Sequence, residues 1–204
     1  MTVNTVPSLP LPRNTSGRHS TSWWGLVLLI INEAVLFASL LASYFYLRFN
    51  SPSWPQDRLE RPELLLPVIG TIVLLSSSFA MHYAQSGIRQ GNASRLRIGL
   101  MGGLILGAIF LGIQLYEYHN LPFQPDDDVY ASLFYVITGI HGLHVFVGLL
   151  MNLFTQIRAS TGGFTSTRHE TVENIVLYWH FVDFVWIFVF ASLYLSPYLQ
   201  GGGR

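Results

Sequence analysis

The chain has 204 residues, half of them hydrophobic and only 11% charged, against about 25% charged in ordinary soluble domains. Its formal net charge is zero, which gives no electrostatic footprint for a polyanionic partner. It has no cysteine, so disulfides and thiolate metal sites are excluded, and all eleven basic residues are arginine.

The first 22 residues are polar and rich in Ser, Thr and Pro, without the apolar core of a signal peptide. They are expected to form a cytoplasmic tail that is not translocated. Five hydrophobic segments follow, near residues 23–49, 62–86, 96–118, 129–157 and 171–198. Each is long enough to cross about 30 Å of hydrocarbon at 1.5 Å per residue. Turn-forming residues separate them: Asn50 to Pro55, Gly87 to Asn92, Pro122 to Asp128 and Ser160 to Gly163. Residues 199–204 form a second short tail. The predicted architecture is all-α, a polytopic membrane bundle of five transmembrane helices.

Arginine placement gives an orientation. Arg13, Arg18, Arg89, Arg95, Arg97, Arg158 and Arg168 fall on one side, and Arg48, Arg58, Arg61 and Arg204 on the other. The excess predicts a cytoplasmic N-terminus and an external C-terminus. The run Asp126-Asp127-Asp128 then lies outside, as a solvated loop.

Two stripes of small residues predict close helix packing in lipid. Gly99, Gly103 and Gly107 recur every four residues in the third span, and Ala34, Ala38 and Ala42 do so in the first. Aromatic residues near span ends (Trp23, Trp24, Trp54, Tyr194, Tyr198) fit interfacial anchors.

Ionisable residues inside such segments are costly, and they face protein, water or a partner rather than lipid. Glu33, beside Asn32, lies ten residues into the first span. It reads either as a proton-exchanging, carbodiimide-reactive carboxyl or as an interhelical hydrogen bond. His82 and Glu117 sit towards the ends of the second and third spans. His141 and His144 are three residues apart on the fourth. Metal or haem ligation needs further ligands that this chain does not offer, so a structural role is expected and no metal site is predicted. In the fifth span Glu173 and His180 are seven residues apart, and Asp183 is one turn further. They form a polar stripe, either a proton wire or an interhelical seam, with Glu33, His141 or His144 as candidate partners. Arg158 ends the fourth span, where a guanidinium can grip a lipid phosphate or snorkel to the interface.

Several runs carry a resemblance. Residues 140–145, Ile-His-Gly-Leu-His-Val, resemble the penultimate-helix motif of subunit III of the haem–copper respiratory oxidases. Residues 178–186, Tyr-Trp-His-Phe-Val-Asp-Phe-Val-Trp, resemble that family's last-helix motif. Residues 31–37 are similar to the helix with the carbodiimide-reactive carboxyl, and residues 114–123 match as well. The resemblance covers roughly residues 23–198. Longer members have seven helices and a lipid-filled cleft, whereas this chain matches the five-helix form.

The resemblance implies a subunit without a redox centre, with haem and copper held by subunits I and II. It implies packing on subunit I, bound phospholipid, support of proton uptake and protection of the binuclear centre during turnover. Glu33 would be the reactive carboxyl, Arg158 a lipid-headgroup ligand, and the bacterial plasma membrane the location, with membership of a larger respiratory supercomplex left open. The donor would be cytochrome c. The competing readings are subunit III of a quinol oxidase, a homologue associated with nitric oxide reductase, an autonomous proton transporter and a membrane cytochrome b.

Overall fold

In hydrocarbon a backbone must satisfy its own hydrogen bonds, and long apolar runs therefore close into helices. The computed structural model describes residues 20–55 and 61–199. Arg13, Arg18, Arg58, Arg204 and most of both tails lie outside the described residues.

The elements are α1 (Thr21–Phe49), α2 (Leu65–Arg89), α3 (Ala93–Asn120), α4 (Val129–Ser160) and α5 (Glu170–Val189). A π-helical turn, Phe190–Leu195, and a last helical turn, α6 (Ser196–Leu199), continue α5. Among the described residues five helices are long and apolar enough to cross a membrane.

Several helices run past their apolar stretch to a polar cap. Ser20 Oγ accepts from the Trp23 amide at 3.3 Å, and Asn92 Oδ1 from the Arg95 amide at 3.0 Å. Asp128 begins α4 and accepts from the Val129 amide at 2.5 Å. Asp127 accepts from the Gln124 amide at 2.6 Å. Part of the acidic run thus holds a turn and a helix start. Gly91 and Gly162, with φ of 73° and 74°, reverse the chain after α2 and α4. Only glycine enters this left-handed region without strain.

The helices pack in the order α2, α3, α4, α5, and α5 closes back onto α2. Helix α1 lies outside this group, against α4 and α5. The burial is uneven: 61% of the most apolar stretch of α5 is buried, but only 6% of that of α1.

The glycine stripe of α3 explains the tight α2–α3 contact. A Cβ on Gly99 would lie 2.5 Å from the Ala84 amide nitrogen and 2.6 Å from the Ala80 carbonyl oxygen. One turn on, Gly103 meets Met81, and Gly107 meets Trp179 and Leu149. The alanine stripe behaves differently. Ala34, Ala38 and Ala42 are all exposed, because α1 packs through its bulky side, on Phe37 and Tyr44. The expected close approach on that stripe is absent among the described residues.

Two expected anchors are internal. Trp54 is buried and donates from Nε1 to Tyr44 Oη at 2.9 Å. Tyr194 is fully buried and donates to Glu117 Oε2 at 3.1 Å. Trp54 belongs to a latch that ties α1 to α6. In it Tyr44 Oη and Ser196 Oγ lie 2.9 Å apart, and Arg48 Nη2 donates to the Ser196 carbonyl at 2.8 Å. The π-helical turn leaves backbone carbonyls in need of partners, and Tyr130 Oη donates to that of Leu193 at 2.8 Å.

Gly99→Val is expected to destabilise the bundle by about 1–3 kcal/mol, because the new methyl groups meet backbone that cannot yield. Gly112 has open space around its Cβ position, so Gly112→Val should leave stability near wild type. Unfolding midpoints in detergent, by heat or titrated dodecyl sulfate, compare the two.

Candidate functional site: a carboxylate–imidazole pair in an apolar groove

Helices α1, α4 and α5 line an open groove of about 780 Å³. Leu26, Leu29, Val147, Met151 and Phe154 supply much of its lining, with Ser22, Asn174 and Tyr178 as polar edges. Glu33 and His144 line it too. Glu33 stands twelve residues after Thr21, roughly 18 Å along the helix.

Glu33 Oε2 is 3.0 Å from His144 Nε2, and the two side chains are 22% and 14% exposed. His144 Nδ1 is 2.8 Å from the Ile140 carbonyl oxygen. A carbonyl only accepts, so Nδ1 carries a hydrogen. A single proton then joins Nε2 to the carboxylate. It sits on the imidazole, giving an ion pair, or on Glu33, giving two neutral groups. The pair is neutral in both arrangements, which lowers its cost at membrane depth. Phe37 packs edge-on against the His144 ring at 5.2 Å, and Tyr178 Oη donates to the His144 carbonyl at 3.2 Å.

His141 has a different setting. It is fully buried between Phe37, Phe110 and Trp186, and the Trp186 ring lies 4.8 Å away, tilted by 32°. Neither of its ring nitrogens has a hydrogen-bond partner among the described residues. The two histidines therefore do not converge on one ligand. Among the described residues no group of three or more His, Cys, Asp or Glu side chains is arranged to hold a metal ion.

The polar stripe of α5 bonds chiefly to α2. Trp186 Nε1 donates to Thr71 Oγ1 at 2.9 Å, and Trp179 Nε1 to Ser77 Oγ at 2.8 Å. Ser78 Oγ lies 2.9 Å from His180 Nδ1 and donates to Asp183 Oδ2. Sequence reasoning considered the α5 residues and passed over their hydroxyl partners. The available signal was three consecutive serines, Ser76 to Ser78, inside an apolar helix.

The remaining residues are dispersed. Glu173 Oε1 takes Arg89 Nη2 at 2.8 Å and His169 Nε2 at 3.4 Å, at the end of the bundle where α5 begins. Glu117 is buried with Gln114 and Tyr194 near the opposite end, and its Oε1 has no partner among the described residues. His82 is exposed on α2. Arg158 is exposed, its guanidinium 5.2 Å above the Phe164 ring.

Ser77→Ala and Trp179→Phe remove one hydrogen bond from either side. A double-mutant cycle on unfolding in detergent is expected to give a coupling of about 0.6 kcal/mol, up to about 1.7.

A family model described as cytochrome c oxidase subunit III matches residues 14–198. The chain is similar to cytochrome c oxidase subunit 3 of Synechocystis sp., with 40% identity over 188 residues, 90% of this chain and 81% of the relative. It is 40% identical to the same-named protein of Thermostichus vulcanus over 172 residues, 84% of this chain and 85% of the relative. Against that of Locusta migratoria it is 36% identical over 181 residues, 84% and 67% of the two chains.

Proposed function

Because the chain belongs to the cytochrome c oxidase subunit III family, we propose that it is the non-catalytic third subunit of an aerobic, proton-translocating haem–copper oxidase whose electron donor is cytochrome c. In this reading subunits I and II hold the haem and copper. The chain packs on subunit I, carries lipid, supports proton uptake and protects the binuclear centre during turnover.

The observation that carries the reading is the Glu33–His144 pair on the wall of the apolar groove. Apolar side chains along α1 and α4 suit acyl chains, and the half-buried carboxyl suits a hydrophobic carbodiimide arriving from the lipid phase. Such a reagent attacks the protonated acid, one of the two arrangements open to the pair. Arg158 is exposed, at the C-terminal end of α4, and is available to a lipid phosphate.

The orientation has Arg89, Arg95, Arg97, Arg158 and Arg168 on the cytoplasmic side, and Arg48 and Arg61 outside. The membrane would be a bacterial plasma membrane.

Three results test the proposal. A tagged chain drawn from native membranes in mild detergent is expected to bring two larger subunits with haem and copper, seen in reduced-minus-oxidised spectra and metal analysis. A colourless chain, alone, from membranes that contain the oxidase would overturn it. Deleting the chain should leave haem content normal while oxidase activity decays progressively during turnover. Glu33→Gln should abolish carbodiimide labelling of this chain, and labelling that persists would remove Glu33 from the assignment.

A further inference from the structure

Where α2 starts and α3 stops, a pocket of about 200 Å³ opens between them. It shares no lining residue with the groove that holds Glu33, and it lies at the end of the bundle opposite the Arg89–Glu173 cluster. Its rim is polar, with Arg61, Glu63 and Asn120 exposed. Glu117 lines it as well, yet is only 6% exposed.

The Glu117 carboxyl is held by one of its two oxygens. Oε2 accepts from Tyr194 Oη at 3.1 Å and from Gln114 Nε2 at 3.3 Å. Oε1 is buried and has no partner among the described residues. Among them no Arg or His reaches Glu117 within ion-pair distance. The Arg61 guanidinium stands instead over the Tyr198 ring, 5.3 Å from its centre. A buried oxygen calls for a partner, and the polar pocket beside this side chain can supply one. A molecule of liquid water takes about 30 Å³, so several fit between the carboxyl and the exposed rim.

The donors on Oε2 serve either charge state. In the acid Oε2 is the carbonyl oxygen and Oε1 carries the hydrogen, free to donate to water. In the carboxylate the same two donors, with Arg61 across the pocket, face the negative charge. The other titratable groups around Glu117 are Glu63 on the rim and the phenols of Tyr118, Tyr194, Tyr130 and Tyr135. Phenols keep their protons near neutral pH.

We infer that Glu117 is a proton-exchanging site open to the aqueous phase at this end of the bundle, with pocket water reaching Oε1 and that oxygen taking up and releasing the proton. On uptake a hydronium ion protonates Oε1 and leaves as water. On release the Oε1 proton passes to a pocket water, and the carboxylate stays on the Tyr194 and Gln114 donors. A metal cation is the poorer occupant. It needs several oxygen ligands at once, Arg61 in the same lining repels it, and among the described residues no acidic or histidine cluster of three is arranged to hold one. Glu33 and Glu117 then differ in access, one through an apolar groove and the other through water.

The test uses the intact complex drawn from native membranes by the tagged chain. Glu117→Cys gives the chain its only thiol, beside the pocket, and Asn120→Cys gives it one on the rim. Each is treated with aminoethyl methanethiosulfonate, a small cation that forms a disulfide with a hydrated thiolate and releases methanesulfinate. The mass of this chain reads the adduct. Modification is expected at both positions. It should be lost at position 117 when Leu66→Trp is added, because the indole fills the pocket. Modification at position 120 and not at 117, or at neither, would overturn the proposal, since water would not reach the carboxyl. Modification at 117 that persists beside the tryptophan would overturn the pocket as the route.

A second variant, Glu117→Gln, keeps an acceptor for Tyr194 and addresses the proton itself. The infrared spectrum of wild type minus this variant is expected to hold one carboxylic-acid C=O band. That band should shift in heavy water within the time of buffer exchange and give way to carboxylate bands as pH is raised. A band that ignores heavy water, or the lack of any band that changes with pH, would overturn the proposal. Haem and copper in the same preparations report separately on the reading of the chain as an oxidase subunit.

Discussion

The indole of Trp179 is the piece on which the bundle turns. It stands on α5 and fills a slot bounded by Gly107 of α3 and Gly148 of α4. A Cβ on either glycine would come within 2.7–2.9 Å of the ring. From inside the slot Nε1 reaches Ser77 of α2 at 2.8 Å. One fully buried side chain on α5 therefore touches three other helices. Without a hydrophobic effect between helices in lipid, contacts of this kind, with close packing and a satisfied polar atom, hold a membrane bundle together. They also explain why α5 is the most buried span.

The other features follow from how α5 is held. Trp186 repeats the indole–hydroxyl bond two turns on, with Thr71. Fixed at these two points, α5 turns Asp183 inward to Ser78 and leaves His180 at the surface. Helix α1 has no comparable wedge. It is joined near one end by the Tyr44–Ser196–Arg48 latch and part-way along by Glu33–His144. At its other end Asn174 Nδ2 of α5 donates to Ser22 Oγ at 3.1 Å, and between that end and α4 the groove opens. A loosely held helix and an open groove are two aspects of the same packing.

A physical division of labour separates the polar groups. Most of those facing other helices, His141 excepted, are hydrogen-bonded across the interface and serve specificity of packing. Glu33 and His144 are paired with each other across a groove wall, where a proton can be held on either partner without change of net charge. Arg89, Glu173 and His169 form an ion cluster at a helix end, where water screens them and such pairs contribute little to stability.

Much was legible in the sequence. Span number, the break points and the depth of Glu33, His141, His144, His180 and Asp183 follow from apolar run length and from the cost of burying polar groups, neither of which needs a fold. The glycine stripe on α3 announced a close approach, because only small residues admit one. The alanine stripe on α1 announced the same and did not deliver it, since small residues permit proximity without compelling it. Partners were the part that sequence could not assign. His141 and His144 are one turn apart on one helix, yet one meets Trp186 and the other Glu33. His180 and Asp183 of the α5 stripe found their partner in Ser78, and the neighbouring indoles theirs in Thr71 and Ser77, hydroxyls that are neutral and leave little trace in a hydropathy profile. Composition and periodicity determined that this is a five-span membrane protein with a polar interior. Which face of each helix meets which neighbour was decided only by tertiary packing, because helix rotation is set by side-chain shape across the interface and not by the apolarity that all faces share.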